Sequence, residues 1–114
     1  MSWLGRQASV QVSAVTVMEL EFGVERAPPA RRPRLRLWLE GLLASPAHQV
    51  LPMDAAVARA AGQLRHRCEL TGRPRPLPDL LIAATALVAG AVVVTRNTAD
   101  FEGLGVPLLD PFLG

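Results

Sequence analysis

Residues 77–101, L-P-D-L-L-I-A-A-T-A-L-V-A-G-A-V-V-V-T-R-N-T-A-D-F, constrain the fold of this 114-residue chain more than any other stretch. Leu and Ala, good helix formers, crowd its first half, and Val and Thr, good strand formers, crowd its second. Gly90 stands between them, where a helix closes in the left-handed conformation. The stretch therefore reads as an apolar helix and then a buried strand. Asp79 falls at the helix start and Asp100 in the polar turn after the strand. A membrane span is not expected, because the apolar run 80–94 is broken by Thr85 and Gly90 and a span needs roughly 18 to 20 apolar residues.

The rest of the chain alternates short strands with helices. Residues 3–7 read as the tail of a helix, and residues 9–16 alternate with the period of a strand. Thr16 is the expected N-cap of a helix over 17–26, with Glu19 closing a capping box. Ala27-Pro28-Pro29 ends that helix, because proline cannot continue it. A second helix over 31–44 places Leu35, Trp38, Leu39 and Leu42 on one face. Residues 49–51 are a short strand candidate. Asp54 is placed to cap a helix over 55–70 whose inward stripe is Val57, Ala61, Leu64 and Cys68, closed by Thr71-Gly72. Residues 73–78 form a proline-rich bend, 102–105 a turn and 106–109 a last short strand. This order predicts a single α/β domain over 1–114, a short parallel sheet covered by helices on both faces.

Composition narrows the chemistry. All twelve basic residues are Arg, which excludes a Walker-type phosphate loop and Schiff-base catalysis, both of which need Lys. The pI of 9.9 arises from a net charge of only +2; it is compatible with polyanion binding and equally with a biased composition. Cys68 is the only cysteine, so no intrachain disulfide forms, which fits a reducing cytoplasm, and Cys68 itself reads as core. The first residues, M-S-W-L-G-R-Q, show no secretory signal. His66 falls off the inward stripe and His48 in a turn, and neither has a partner at metal-ligand spacing.

Ligands of open parallel sheets bind beyond the carboxyl ends of the strands. Three acids fall at such places: Glu19, Asp79 and Asp100. Clustered carboxylates of this kind favour a hard cation such as Mg²⁺ or Mn²⁺, able to activate water or offset charge on a phosphodiester. Each also has a plain reading. Glu19 completes a capping box, Asp79 complements a helix dipole, and Asp100 caps a short helix at Phe101.

Three segments, S-A-V-T-V-M-E-L-E-F-G-V-E-R, L-P-D-L-L-I-A-A-T-A-L and V-V-T-R-N-T-A-D-F-E-G-L-G-V-P-L-L-D-P, resemble in order and spacing the PIN-domain ribonuclease toxins of bacterial toxin–antitoxin modules, the VapC and FitB-like proteins. The resemblance implies a three-layer α/β/α fold, RNA cleavage with Mg²⁺ or Mn²⁺, inhibition by a small antitoxin, and a homodimer. By matching position, Glu19, Asp79 and Asp100 correspond to three of the family's four acids, with Thr95 and Asn97 as supporting polar groups. Arg96, beside them, is a candidate for holding the substrate phosphate.

The family's first strand, which ends in an Asp-Thr-Asn-like motif and lies in the centre of the sheet, has no counterpart among these residues, and no Asp precedes Asp54. Two expectations follow. The metal site lacks one carboxylate, and the edges of residues 10–14 and 92–95 stay unpaired unless they meet each other or another chain. The alternative to a nuclease is thus a catalytically inactive PIN remnant that serves as an interaction module. A receiver-like signalling domain, the third reading, is disfavoured by the absence of Lys. Arg26, Arg31, Arg32, Arg34 and Arg36 read either as a solvated helix face, with Glu25 and Glu40 nearby, or as a surface for RNA or an acidic antitoxin segment.

Overall fold

A computed structural model describes residues 10–95 and 97–109. Four helices and four short strands follow one another in the order β1 (Val10–Ser13), α1 (Ala14–Arg26), α2 (Arg32–Ala44), β2 (His48–Leu51), α3 (Ala55–Leu70), α4 (Leu77–Ala89), β3 (Val93–Val94) and β4 (Leu108–Leu109). A single 3-10 turn, Thr98–Asp100, lies between β3 and β4. The α/β class read from the alternation holds. The helix expected over 3–7 lies outside the described residues.

Local chemistry sets most boundaries. Ser13 ends β1 and caps α1: its Oγ accepts from the Thr16 N–H at 2.9 Å. The helix thus starts earlier than the capping box at Thr16 predicts, and Glu19 is exposed rather than reaching back to a cap. Asp54 caps α3 as expected, its carboxylate accepting from the Val57 N–H at 3.1 Å. Both later helices close through a left-handed glycine, Gly72 at φ 69° and Gly90 at φ 67°. In each closure an N–H reaches back five residues, Arg73 to Cys68 and Ala91 to Ala86, which satisfies carbonyls the helix end leaves free.

The main core is built from α3 and α4. Val57, Ala61, Leu64 and Cys68 pack with Leu80, Ala83, Ala84 and Ala86, and Val93, Phe101, Leu104 and Val106 close over them. The stripe predicted for α3 is therefore the buried one, and Cys68 is core. Thr85 is buried as well, its hydroxyl donating to the Leu81 carbonyl at 2.7 Å, so the polar group costs little. On α2 the predicted face is only partly right. Leu39 is fully buried, whereas Trp38 is 51% exposed; α2 packs on α1 and β2, and only part of the predicted face reaches that contact. His48 opens β2 instead of lying in a turn, with its Nδ1 2.8 Å from the Leu42 carbonyl oxygen.

The sheet comes in two parts. β1 pairs with β2 and β3 pairs with β4, both in parallel, and the described residues contain no ladder joining β1 to β3. Val93 and Thr95 donate to the β4 side, so Val92 and Val94 turn their peptide groups the other way. They face an apolar cleft of about 320 Å³ whose opposite wall includes Gln11, Val12 and Ser13 of β1. Of the two ways in which these edges could be paired, with each other or with another chain, the described residues do not show the first.

Candidate active site

Asp79 stands in the first turn of α4. Pro76 and Pro78 start that helix without an N–H that needs a partner, so Asp79 is set beside the free amides of a helix N-terminus. Asp100 ends the 3-10 turn after β3. The turn is ordered from within. Thr95 Oγ1 accepts from the Asn97 N–H at 3.0 Å, and the Asn97 carbonyl accepts from the Asp100 N–H at 3.0 Å. Thr95 and Asn97 thus shape the loop that carries Asp100.

The two aspartates meet in one surface cleft of about 330 Å³ with Arg73 and Arg75. Burial, and then the negative charge of Asp100, raise the Asp79 carboxyl above the ordinary carboxylate range, while the Arg75 guanidinium opposes them. A carboxyl in this position is short of positive charge. A divalent cation between the two carboxylates would relieve both penalties, so the donor set fits such an ion, with all-oxygen ligands.

Glu19 does not join them. It lies on the exposed side of α1, and among the described residues no three His, Cys, Asp or Glu side chains gather closely enough to share one ion. The structure therefore assembles two of the three predicted acids. Arg96 lies outside the described residues. Of the arginine cluster, Arg36 is engaged by Glu21, Glu25 and Glu40 at 2.5, 3.0 and 3.9 Å, Arg26 covers the Phe22 ring, and Arg32 donates to the Ala27 carbonyl. For Arg36 the solvated-face reading describes what is found.

Sequence reasoning passed over Arg75, treating 73–78 as a bend. Its guanidinium donates to the backbone carbonyls of Ala99, Asp100 and Glu102, 24 to 27 residues away. The only local signal is its place between Pro74 and Pro76, which fixes the backbone from which it reaches.

A model of the PIN domain matches residues 1–105. A VapC ribonuclease, Y4jK, from Sinorhizobium fredii is 34% identical over 116 residues, covering 98% of this chain and 83% of that protein. Among solved structures, FitAcB from Neisseria gonorrhoeae superposes with a TM-score of 0.82 at 31% identity, over 96% of this chain and 82% of that one. VapBC-5 from Mycobacterium tuberculosis, a member of the VapBC family of toxin–antitoxin systems, gives 0.72 at 30%, over 85% and 78%. No helix among the described residues is long and apolar enough to cross a membrane.

Proposed function

The chain belongs to the PIN-domain family, and from that premise we propose that it is the ribonuclease toxin of a toxin–antitoxin pair, cleaving RNA phosphodiesters with the help of Mg²⁺ or Mn²⁺. The observation that carries the reading is the Asp79–Asp100 pair, two like charges brought together at the start of a helix and the end of a strand loop. Such an arrangement opposes folding on its own and gains a purpose with a cation in it.

When bound, a divalent cation supplies an activated water and neutralises charge on the phosphodiester. The chain's own residues set the geometry. Asp79 and Asp100 would hold the ion as carboxylates; Glu19, which family position assigns to the same ligand set, stands apart from them on the exposed side of α1. Thr95 and Asn97 keep the Asp100 loop in register, and Arg96 is placed by sequence to hold a phosphate through its planar fork. An antitoxin and a second copy are the proposed protein partners. Met18 and Phe22 of α1 and Leu37 and Trp38 of α2 leave apolar surface for them. The buried free thiol of Cys68 fits a reducing cytoplasm.

The test is RNA cleavage by this chain with Mg²⁺ or Mn²⁺ present or chelated. Asp79→Asn and Asp100→Asn are each expected to lower the rate by about 100-fold or more, on the order of the several kcal/mol a catalytic metal supplies. Cleavage that survives both substitutions, or chelation, would sink the reading. A second reading, a non-cutting interaction module, is favoured by one observation: among the described residues, β1 and β3 do not pair across the apolar cleft between them. It predicts binding to an antitoxin with no metal-dependent cleavage at all.

A further inference from the structure

We propose that Arg75 is a positioning residue that fastens the loop carrying Asp100 against the start of α4, so that the two aspartates are held at a spacing one cation can bridge. The proposal rests on the metal-dependent nuclease reading for its purpose but on separate contacts for its geometry. Arg75 enters from the segment between α3 and α4, and its Nη1 donates to the carbonyls of Asp100 and Ala99, the latter at 3.4 Å, while Nη2 donates to Glu102. Three carbonyls of one loop are gathered by one side chain.

The alternative role for an arginine in this cleft is to grip a substrate phosphate. Its contacts favour the loop: N–H groups on both terminal nitrogens already donate to backbone oxygens, so turning the guanidinium to a phosphate would free the Asp100 loop at the moment the site needs it fixed. Phe101 and Leu104 anchor the far side of the loop in the core, but the turn before them carries Ala99 and Asp100 exposed. Its internal bonds, Asp100 N–H to Asn97 and Phe101 N–H to Thr98, order the turn but do not tie it to α4. Flanking prolines restrict the backbone of Arg75 itself, which lowers the backbone entropy lost when its contacts form.

Lysine cannot substitute for this fork, because a single ammonium is a point donor while guanidinium presents planar, divergent N–H groups. That difference separates positioning from charge. Hydrogen exchange of the Asp100, Phe101 and Leu104 amides, together with Mn²⁺ binding by calorimetry, is measured for the wild-type chain, Arg75→Ala and Arg75→Lys. Both variants are expected to exchange these three amides at least about tenfold faster and to bind Mn²⁺ at least about tenfold more weakly, with the interior amides of α3 and α4 unchanged. If Arg75→Lys keeps wild-type protection and affinity, charge rather than the fork holds the site and the proposal falls. It falls as well if Arg75→Ala leaves the three amides protected. Asp79→Asn serves as the control on the underlying reading. If Mn²⁺ affinity is indifferent to Asp79→Asn, the metal site is wrong, while the exchange data still decide whether Arg75 fastens the loop.

Discussion

At the residue scale the informative group is Asp79. Burial and Asp100 raise its pKa, so the folded chain retains a proton that the unfolded chain has already released. Between the ordinary carboxylate value and the raised one, stability therefore falls as pH rises, and it stays lost at neutral pH. Asp79→Asn removes that penalty. In thermal melts without metal at pH 7 the variant should be the more stable, by less than about 1 kcal/mol because solvent screens a partly exposed pair, and the difference should vanish near pH 3. Added Mn²⁺ should raise the melting temperature of the wild type and not of the variant. A wild type more stable than Asp79→Asn at pH 7 without metal would contradict this account. Asp79 and Asp100 were legible in the sequence because helix starts and strand ends are marked by local signals. Arg75 was not, since its partners lie more than twenty residues on and no local pattern records a contact of that range.

At the scale of single elements, local caps and periods carried the reading well in the second half of the chain. Asp54, Gly72 and Gly90 each act through their immediate neighbours, and the stripe from Val57 to Cys68 has a clear helical period. The entry to α1 was misread because residues 14–16 satisfy a strand alternation and a helix start equally over so short a run. The choice is made by Ser13, 8% exposed, which turns its hydroxyl to the Thr16 N–H and touches the Thr16 hydroxyl at 2.9 Å. Ser13→Ala should then cost about 1 kcal/mol, the usual worth of an N-cap, read from the urea midpoint. Glu19→Gln should cost much less, because the exposed Glu19 does not serve as a capping partner. Equal losses for the two would restore the capping box at Thr16.

At the scale of the whole molecule, the division of the sheet has energetic consequences. The largest buried cluster draws all its members from residues 57–106, whereas Val15, Val24 and Leu39 are buried in the first half of the chain. No ladder crosses from β1 to β3 among the described residues, so the halves are joined through α4, which touches both α1 and β1. Side-chain packing along one helix transmits cooperativity less completely than a continuous sheet would, and regions with fewer buried contacts open at lower free energy. The amides of β1 and β2 should therefore exchange through an opening smaller than global unfolding, while those of Ala83 and Ala84 in α4 await the global event. Leu39, fully buried at the α2 contact, offers the test. Leu39→Ala should remove about 2 to 5 kcal/mol from the protection of α1, α2 and β1 and distinctly less from α3 and α4. Uniform losses throughout the chain would show that one cooperative unit spans the cleft, and that the coupling between the halves does not need a β1–β3 ladder.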